Sequence, residues 1–284
     1  MLAQSRLYNF IDSENGFTIS FLEGQKVIQE LAMIHDVKGM GFNFFRDSVL
    51  SGLQLINYLK PSENFGFFID SEDPYFRLKI EMNFDGYMRT LLLPANFEEN
   101  PKKFSGNVRL VKIMPNNHAP YQSVIAVKNK SLKDIVNNVL KDSYQMNSKV
   151  IISEDSDQSI LISRLPDINV NKKEVTDRIN LDEYYQSIQT QLHEILKIGS
   201  TEYETITNEF KKINFELLTS KDIEFKCNCS RERMLTGVAS VARGTTLDDL
   251  FDGKKSLEAK CDYCNTNYLI TIEEIEEIIK ISKQ

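Results

Sequence analysis

The four cysteines of this 284-residue chain are the residues whose type and spacing could do chemistry. They form a Cys-Asn-Cys sequence at 227–229 and a Cys-Asp-Tyr-Cys sequence at 261–264. Cysteines used as small apolar side chains would be scattered through the core. Two close pairs instead supply four thiolates, the ligand set of a tetrahedral zinc site. We therefore predict one Zn²⁺ per chain, held by Cys227, Cys229, Cys261 and Cys264. An iron–sulfur cluster, which uses the same ligands, and four unliganded cysteines are the alternatives.

The composition is that of a globular protein, with 41% hydrophobic and 26% charged residues in a chain long enough for two domains. No stretch approaches the roughly 18 apolar residues of a membrane span, and the N-terminal sequence lacks the apolar run of a secretion signal. We therefore expect a cytoplasmic protein without a membrane partner. Cytosolic thiols are kept reduced, so the four cysteines indicate metal or redox chemistry before structural disulfides.

Charge and motif content argue against nucleic-acid binding and against catalysis. The net charge of −7 comes without a cluster of Lys and Arg that could bind phosphates. The three histidines, His35, His118 and His193, lack the neighbours of a known catalytic triad. A thiol oxidoreductase needs a metal-free thiol at the start of a helix, whereas 261–264 precede a strand-like sequence. No Walker-type loop is present. We therefore expect a protein that is not an enzyme.

Residues 1–167 predict an N-terminal α+β core domain. Segments rich in β-branched and aromatic residues alternate with turn residues, which favours a mainly antiparallel sheet arranged as a meander. The predicted strands are 65–70, 75–84, 87–93, 107–114, 122–127, 149–153 and 159–165. Apolar residues at helical spacing predict packed helices at 23–36, 43–59 and 131–144. This mixture is typical of α+β proteins and differs from the regular βαβ alternation of a parallel sheet.

Residues 168–225 predict a charged, amphipathic helical linker, and residues 226–284 a small zinc-binding domain. The linker has one predicted helix from Leu181 to Leu196, a break at Gly199, and a second helix over 203–215. Such helices are either docked permanently on a core or stay folded only while a neighbour supports them. The C-terminal segment is too small for a large core, so we expect it to need its metal for folding.

The C-terminal sequences "FKCNCSRER" and "LEAKCDYCNTNYLI", with a Leu-Asp-Asp-Leu helix between them, carry a family resemblance. They resemble the redox-switch domain of the thirty-three kilodalton heat-shock protein family, the oxidation-activated bacterial holdase chaperones. Further matches of pattern lie upstream, in "FGFFIDSEDPYFRLKIEMNFDGYMR", "APYQS" and "DIVNNVLKDSYQMNSKVIIS". The order of the segments also agrees over nearly the whole chain.

The resemblance implies a redox-regulated, ATP-independent holdase. It implies that oxidation expels zinc, forms Cys227–Cys229 and Cys261–Cys264 disulfides, destabilises the linker and exposes apolar surface to unfolding client proteins. It also implies a homodimer in the oxidised state and transfer of clients to an ATP-driven chaperone system. The alternative is a constitutive zinc-ribbon module for protein interaction, which would keep its metal and its activity under mild oxidant.

Overall fold

The computed structural model divides the chain into two compact units, residues 1–225 and 226–284. The predicted α+β class is confirmed by antiparallel sheets with packed helices. The described part of 168–225 lies within the first unit, and the division into three parts stays a prediction. The residues that the structure describes are 2–95, 97, 101–115, 119–165, 179–199 and 202–281.

Along the described chain, runs of two or more strands are separated by single helices or pairs of helices. The strands are β1 Arg6–Asp12, β2 Phe17–Glu23, β3 Asn64–Asp73, β4 Tyr75–Asn83, β5 Tyr87–Leu93, β6 Phe104–Ile113, β7 Tyr121–Lys130, β8 Ser148–Ile152, β9 Gln158–Arg164, β10 Glu216–Asp222, β11 Glu224–Phe225, β12 Ser256–Lys260 and β13 Asn267–Thr271. The helices are α1 Gln25–His35, α2 Gly39–Gly52, α3 Leu132–Tyr144, α4 Leu181–Lys197, α5 Tyr203–Lys212, α6 Arg231–Ala242, α7 Leu247–Phe251 and α8 Ile272–Ile281. A 3-10 helix at Leu53–Tyr58 continues α2.

Among the described residues, the strands form three sheets. Sheet I has the order β10-β1-β2-β9-β8, and all its pairs are antiparallel. Sheet II has the order β11-β5-β4-β3-β6-β7, with a parallel pair only at β11 and β5. Sheet III is the hairpin β12-β13 of the second unit. The predicted meander is correct for β3-β4-β5 but wrong for β6, which returns to pair with β3.

Sheet I lies between two apolar clusters. One face contributes Leu7, Leu22 and Leu161 to the main core, which also contains α1, α2, α3 and the inner face of sheet II. The other face carries buried aromatic residues that pack on α4 and α5. We call this second group the linker-facing cluster. From the sheet it takes Tyr8, Phe10, Phe17, Ile19, Phe21, Ile160 and Ile162, and from residues 181–215 it takes Leu181, Tyr184, Leu192, Ile195, Leu196, Ile206, Phe210 and Phe215.

Ring contacts hold the two halves of the linker-facing cluster together. The rings of Phe10 and Phe210 stack with centroids 4.1 Å apart, and those of Phe17 and Tyr184 with centroids 3.8 Å apart. Aromatic pairs of this kind contribute roughly 0.5–1.5 kcal/mol beyond the area they bury. The apolar face predicted for the first linker helix therefore has a partner, and that partner is sheet I.

Hydrogen bonds attach both ends of α4 to the core. Near its start, Tyr184 Oη donates to Asp12 Oδ2 at 2.7 Å. Near its end, Ser156 Oγ donates to the carbonyl oxygen of Leu196 at 2.9 Å, and the Gln158 amide donates to the carbonyl of Gly199. The last carbonyl groups of a helix have no intrahelical partners. The donors from Ser156 and Gln158 therefore bind the C-terminal end of α4 to the region of the β8–β9 turn.

Across the described residues, no helix combines the length and apolar character needed to cross a membrane.

Glu23 places a carboxyl group inside the first unit, with 1% of its surface exposed. Its Oε2 accepts a hydrogen bond from Gln158 Nε2 at 2.5 Å, and its Oε1 accepts one from the backbone N–H of Gln25 at 3.1 Å. Burial nevertheless dominates and raises the pKa of Glu23 to about 7. The folded chain therefore binds a proton that the unfolded chain releases near pH 4.3.

We predict that the free energy of unfolding decreases as the pH rises from about 5 to about 8. Glu23→Gln should make this decrease smaller by about 2–3 kcal/mol. The sign follows from the raised pKa, because folding is favoured while Glu23 stays protonated and the benefit is lost on ionisation. Urea unfolding followed by circular dichroism at several pH values measures the effect. Glu14→Gln, at an exposed site of the β1–β2 hairpin, is the matched control. Equal pH slopes for the wild type and Glu23→Gln would contradict the prediction.

Candidate metal centre

The hairpin of sheet III holds the second cysteine pair in a tight turn. Strands β12 and β13 pair up to Lys260 and Asn267, and the turn between them contains both cysteines. The backbone N–H of Cys261 donates to Thr266 O at 2.9 Å, and that of Asn265 donates to Cys261 O at 2.8 Å. Asn265 has a φ of 59°, a left-handed conformation that asparagine tolerates better than most residues. The local sequence thus folds both thiols toward one point.

The first cysteine pair lies just before α6. Ser230 caps this helix, since its hydroxyl accepts a hydrogen bond from the Arg233 N–H at 3.3 Å. Arg231 then pairs with Glu274 of α8 at 2.7 Å. The cap and the ion pair together fix the start of α6, and with it the segment that carries the first two thiols.

The structure brings all four predicted cysteines together. Their Sγ atoms all lie within 4.8 Å of one another, with 3.7 Å between Cys227 and Cys261 and 3.4 Å between Cys229 and Cys264. A tetrahedral zinc ion with Zn–S bonds of about 2.3 Å would separate its sulfurs by about 3.8 Å. All four are free thiols. Within the described residues, no other group of His, Cys, Asp or Glu is arranged to hold a metal ion.

The thiols resist ionising together. Burial raises the pKa of Cys227 to about 12 and also raises that of Cys261. At Cys264 burial acts in the same direction, but hydrogen bonds from Thr266 and the neighbouring sulfurs outweigh it and lower the pKa to about 7. Four thiolates this close repel one another unless a cation lies between them. The donor set thus fits a soft dication such as zinc, and the ligand role of the four cysteines remains a proposal.

Two hydroxyl groups that the sequence analysis did not assign to the site contact the sulfurs. Tyr268 Oη lies 3.0 Å from Cys229 Sγ, and Thr266 Oγ1 lies 3.2 Å from Cys264 Sγ. In the sequence, the only sign of these contacts is that Thr266 and Tyr268 follow Cys264 by two and four residues. Sequence alone does not reveal that β13 turns Tyr268 toward the first cysteine pair.

The two described histidines belong to the first unit. His35 ends α1 and is half-buried, and burial lowers its pKa. His193 is exposed on α4. His118 lies outside the described residues. Neither described histidine belongs to the cysteine cluster.

The sequence model of the Hsp33 protein family matches residues 5–271. This chain belongs to the Hsp33 protein family. A crystal structure of the 33 kDa chaperonin (heat shock protein 33 homolog) from Thermotoga maritima has a TM-score of 0.75 to it over 99% of each chain. At 15% identity, this likeness shows a shared fold.

Several curated relatives are named 33 kDa chaperonin. The protein from Clostridium beijerinckii is 35% identical over 31% of this chain and 30% of its own length. That from Prochlorococcus marinus subsp. pastoris is 25% identical over 72% of this chain and 79% of its own. The more identical alignments thus span about a third of the relatives' length, whereas the longer ones are more divergent.

We predict that the reduced protein binds one zinc ion per chain and that Cys261→Ser lowers zinc affinity by at least tenfold, because a serine hydroxyl replaces a thiolate ligand. Metal analysis after dialysis, with chelator competition, measures both quantities. Asp262→Ser is the matched control, since it places a serine beside the ligand and keeps all four thiols. Equal zinc content in Cys261→Ser and the control would exclude the four-thiolate site.

Proposed function

We propose that this chain is a redox-regulated, ATP-independent chaperone that binds unfolding proteins after oxidation. Membership of the Hsp33 family and the names of its relatives support a chaperone. The observation that carries the regulatory part is the linker-facing cluster. There, an aromatic face of sheet I is covered by α4, α5 and Phe215, which lie shortly before the cysteines in the chain.

In this proposal Cys227, Cys229, Cys261 and Cys264 hold one Zn²⁺ in the reduced protein. The bound ion supplies positive charge that stabilises four thiolates and joins the two ends of a small unit. The small buried core of the second unit supports the idea that its folding depends on the metal ion. This core consists of Ala239, Ala242, Phe251, Ile270 and Ile275. A core of that size contributes little stability without a further link.

Oxidation by a peroxide proceeds in two balanced steps. A cysteine sulfur attacks one peroxide oxygen, the S–O bond forms as the O–O bond breaks, and hydroxide leaves to be protonated by solvent. A second thiol then attacks the sulfenic sulfur, forming the disulfide and releasing water. Each disulfide removes two electrons from two sulfurs and reduces one peroxide. Two disulfides consume all four ligands.

We propose that the disulfides join Cys227 to Cys229 and Cys261 to Cys264. In the folded unit, the short contacts at 3.7 and 3.4 Å run between the two pairs. Once the first ligands are oxidised, no metal ion would hold the two cysteine pairs together. The length of chain between two cysteines then decides which sulfurs meet. Closing a loop of one or two intervening residues costs less entropy than closing one of more than 30.

Loss of the second unit's fold would act on the chain directly upstream. Phe225, the end of β11, lies two residues before Cys227. The proposal is that unfolding from Cys227 onward destabilises the linker, 168–225, and uncovers the sheet face of the linker-facing cluster. That face carries Tyr8, Phe10, Phe17 and Phe21, all nearly inaccessible in the folded unit. Exposed aromatic patches of this kind bind unfolded chains.

The remaining parts of the proposal concern partners and place. We propose a cytoplasmic protein whose oxidised form is a homodimer and whose clients pass to an ATP-driven chaperone system, with no nucleic-acid partner. The net charge of −7 supports the last point. The second candidate, a constitutive zinc-ribbon interaction module, is favoured by the compact β12-β13 turn around the thiols, which alone requires no switching.

We predict that peroxide-treated protein suppresses light scattering from a chemically unfolded client diluted into buffer, while reduced, zinc-loaded protein does not. The reason is that only the oxidised chain uncovers the aromatic face of sheet I. Re-reduction in the presence of zinc is the control and should restore the inactive state. Peptide mapping of the same oxidised sample should find the two near-neighbour disulfides. Equal suppression before and after oxidation would instead favour the constitutive module.

We predict that Phe210→Leu lowers the peroxide dose needed for client binding. Phe210 is fully buried and stacks on Phe10, so the change should cost on the order of 1 kcal/mol in the attachment of the linker. Client binding measured against oxidant dose gives the shift. Phe67→Leu, at an equally buried site of the main core, is the matched control, because it weakens the first unit without loosening the linker. If both variants shift the dose alike, general destabilisation explains the effect and the linker does not.

A further inference from the structure

The hydrogen-bond donors around the four sulfurs are of two kinds. Backbone N–H groups favour the thiolates of Cys227, Cys261 and Cys264. At Cys229 the contact comes from a side chain, with Tyr268 Oη 3.0 Å from Sγ. Once this sulfur is a thiolate, the phenol is the partner that carries the hydrogen and therefore the donor. A single substitution can therefore remove this contact at Cys229.

The fold fixes the direction of the Tyr268 hydroxyl. Tyr268 lies on β13 opposite Ala259 of β12, and its ring packs against the small core of the second unit. The hairpin that carries Cys261 and Cys264 therefore also delivers a hydroxyl to Cys229 of the other pair. Because the ring is held by the core and the strand by its ladder, the O–H···S contact is built into the fold.

We propose that Tyr268 is a positioning residue of the metal centre, which holds the Cys229 thiolate in the ligand set and sets its reactivity toward oxidant. The inference rests on the proposed zinc site. A hydrogen bond to a thiolate draws electron density away from the sulfur lone pairs that attack peroxide. Groups that orient metal ligands in this way typically contribute 10- to 100-fold to metal affinity.

The test compares the reduced, zinc-loaded full chain with Tyr268→Phe, which keeps the ring and deletes the hydroxyl. We expect about tenfold weaker zinc binding in chelator competition and faster zinc release in excess hydrogen peroxide, followed with a metal-sensitive dye. In the cobalt-loaded proteins, the sulfur-to-cobalt charge-transfer band should move to longer wavelength, because the Cys229 sulfur becomes richer in electrons. This spectral shift would not follow from a change in packing alone.

Two control variants accompany Tyr268→Phe. Tyr75→Phe deletes a phenol hydroxyl at an exposed site of the first unit and should change none of the three measurements. Thr266→Val deletes the other hydroxyl near the site, but Cys264 keeps the backbone N–H of residue 266. Its effects should therefore be smaller than those of Tyr268→Phe.

The outcomes separate this inference from the function on which it rests. If the wild type releases zinc on oxidation and Tyr268→Phe matches it in affinity, release rate and cobalt spectrum, the role of Tyr268 is refuted while the zinc site stands. If the wild type holds no metal, both are refuted. If zinc behaves as expected but no client is bound, the proposed chaperone function fails and the role of Tyr268 is upheld.

Discussion

The packing of α4 and α5 on the aromatic face of sheet I is the interaction on which the rest of the structure depends. Sheet I is apolar on both faces, so it needs a cover on each side. The main core covers one face with α2 and its neighbours, and α4, α5 and Phe215 cover the other. The segment that the sequence presents as a charged linker is therefore half of a hydrophobic cluster in the described structure. Any event that loosens it changes what the sheet exposes.

The two units are stabilised by different physical means. The first unit buries two large apolar clusters, whereas the second buries five apolar side chains beside four thiols. Apolar burial does not respond to oxidants, but thiolate ligation does. A chemical change at the sulfurs can thus alter the folding of the second unit while the apolar contacts of the main core stay intact. This separation makes a redox signal compatible with a stable core.

The sequence reveals those features that depend on residue type and local spacing. The cysteine cluster and α3 were accessible in this way, because cysteine spacing and helical periodicity are local. Strand β2 was missed, since six of its seven residues are buried and it lacks the alternation that marks a half-exposed strand. Strand β1 was missed because apolar Ile11 and acidic Asp12 break the alternation in its sequence, although its burial alternates from Tyr8 to Asp12. The predicted second linker helix extends too far. Asn214, with a φ of 63°, ends the helical region and turns Phe215 into the linker-facing cluster.

The two parts of the linker are attached differently. Strand β10 is bound by a backbone ladder to β1. Near the end of β10, Lys221 Nζ donates a hydrogen bond to the carbonyl oxygen of Phe84 and lies 3.7 Å from the centroid of the Phe84 ring. Helices α4 and α5 satisfy their own backbone bonds and are held on the sheet by side-chain packing and a few hydrogen bonds. Releasing β10 breaks many backbone–backbone hydrogen bonds at once, whereas releasing the helices breaks side-chain packing and a few hydrogen bonds made by side chains. Within the proposed mechanism, the helices are therefore the part of the linker that opens at least cost, and they are the part that covers the aromatic face.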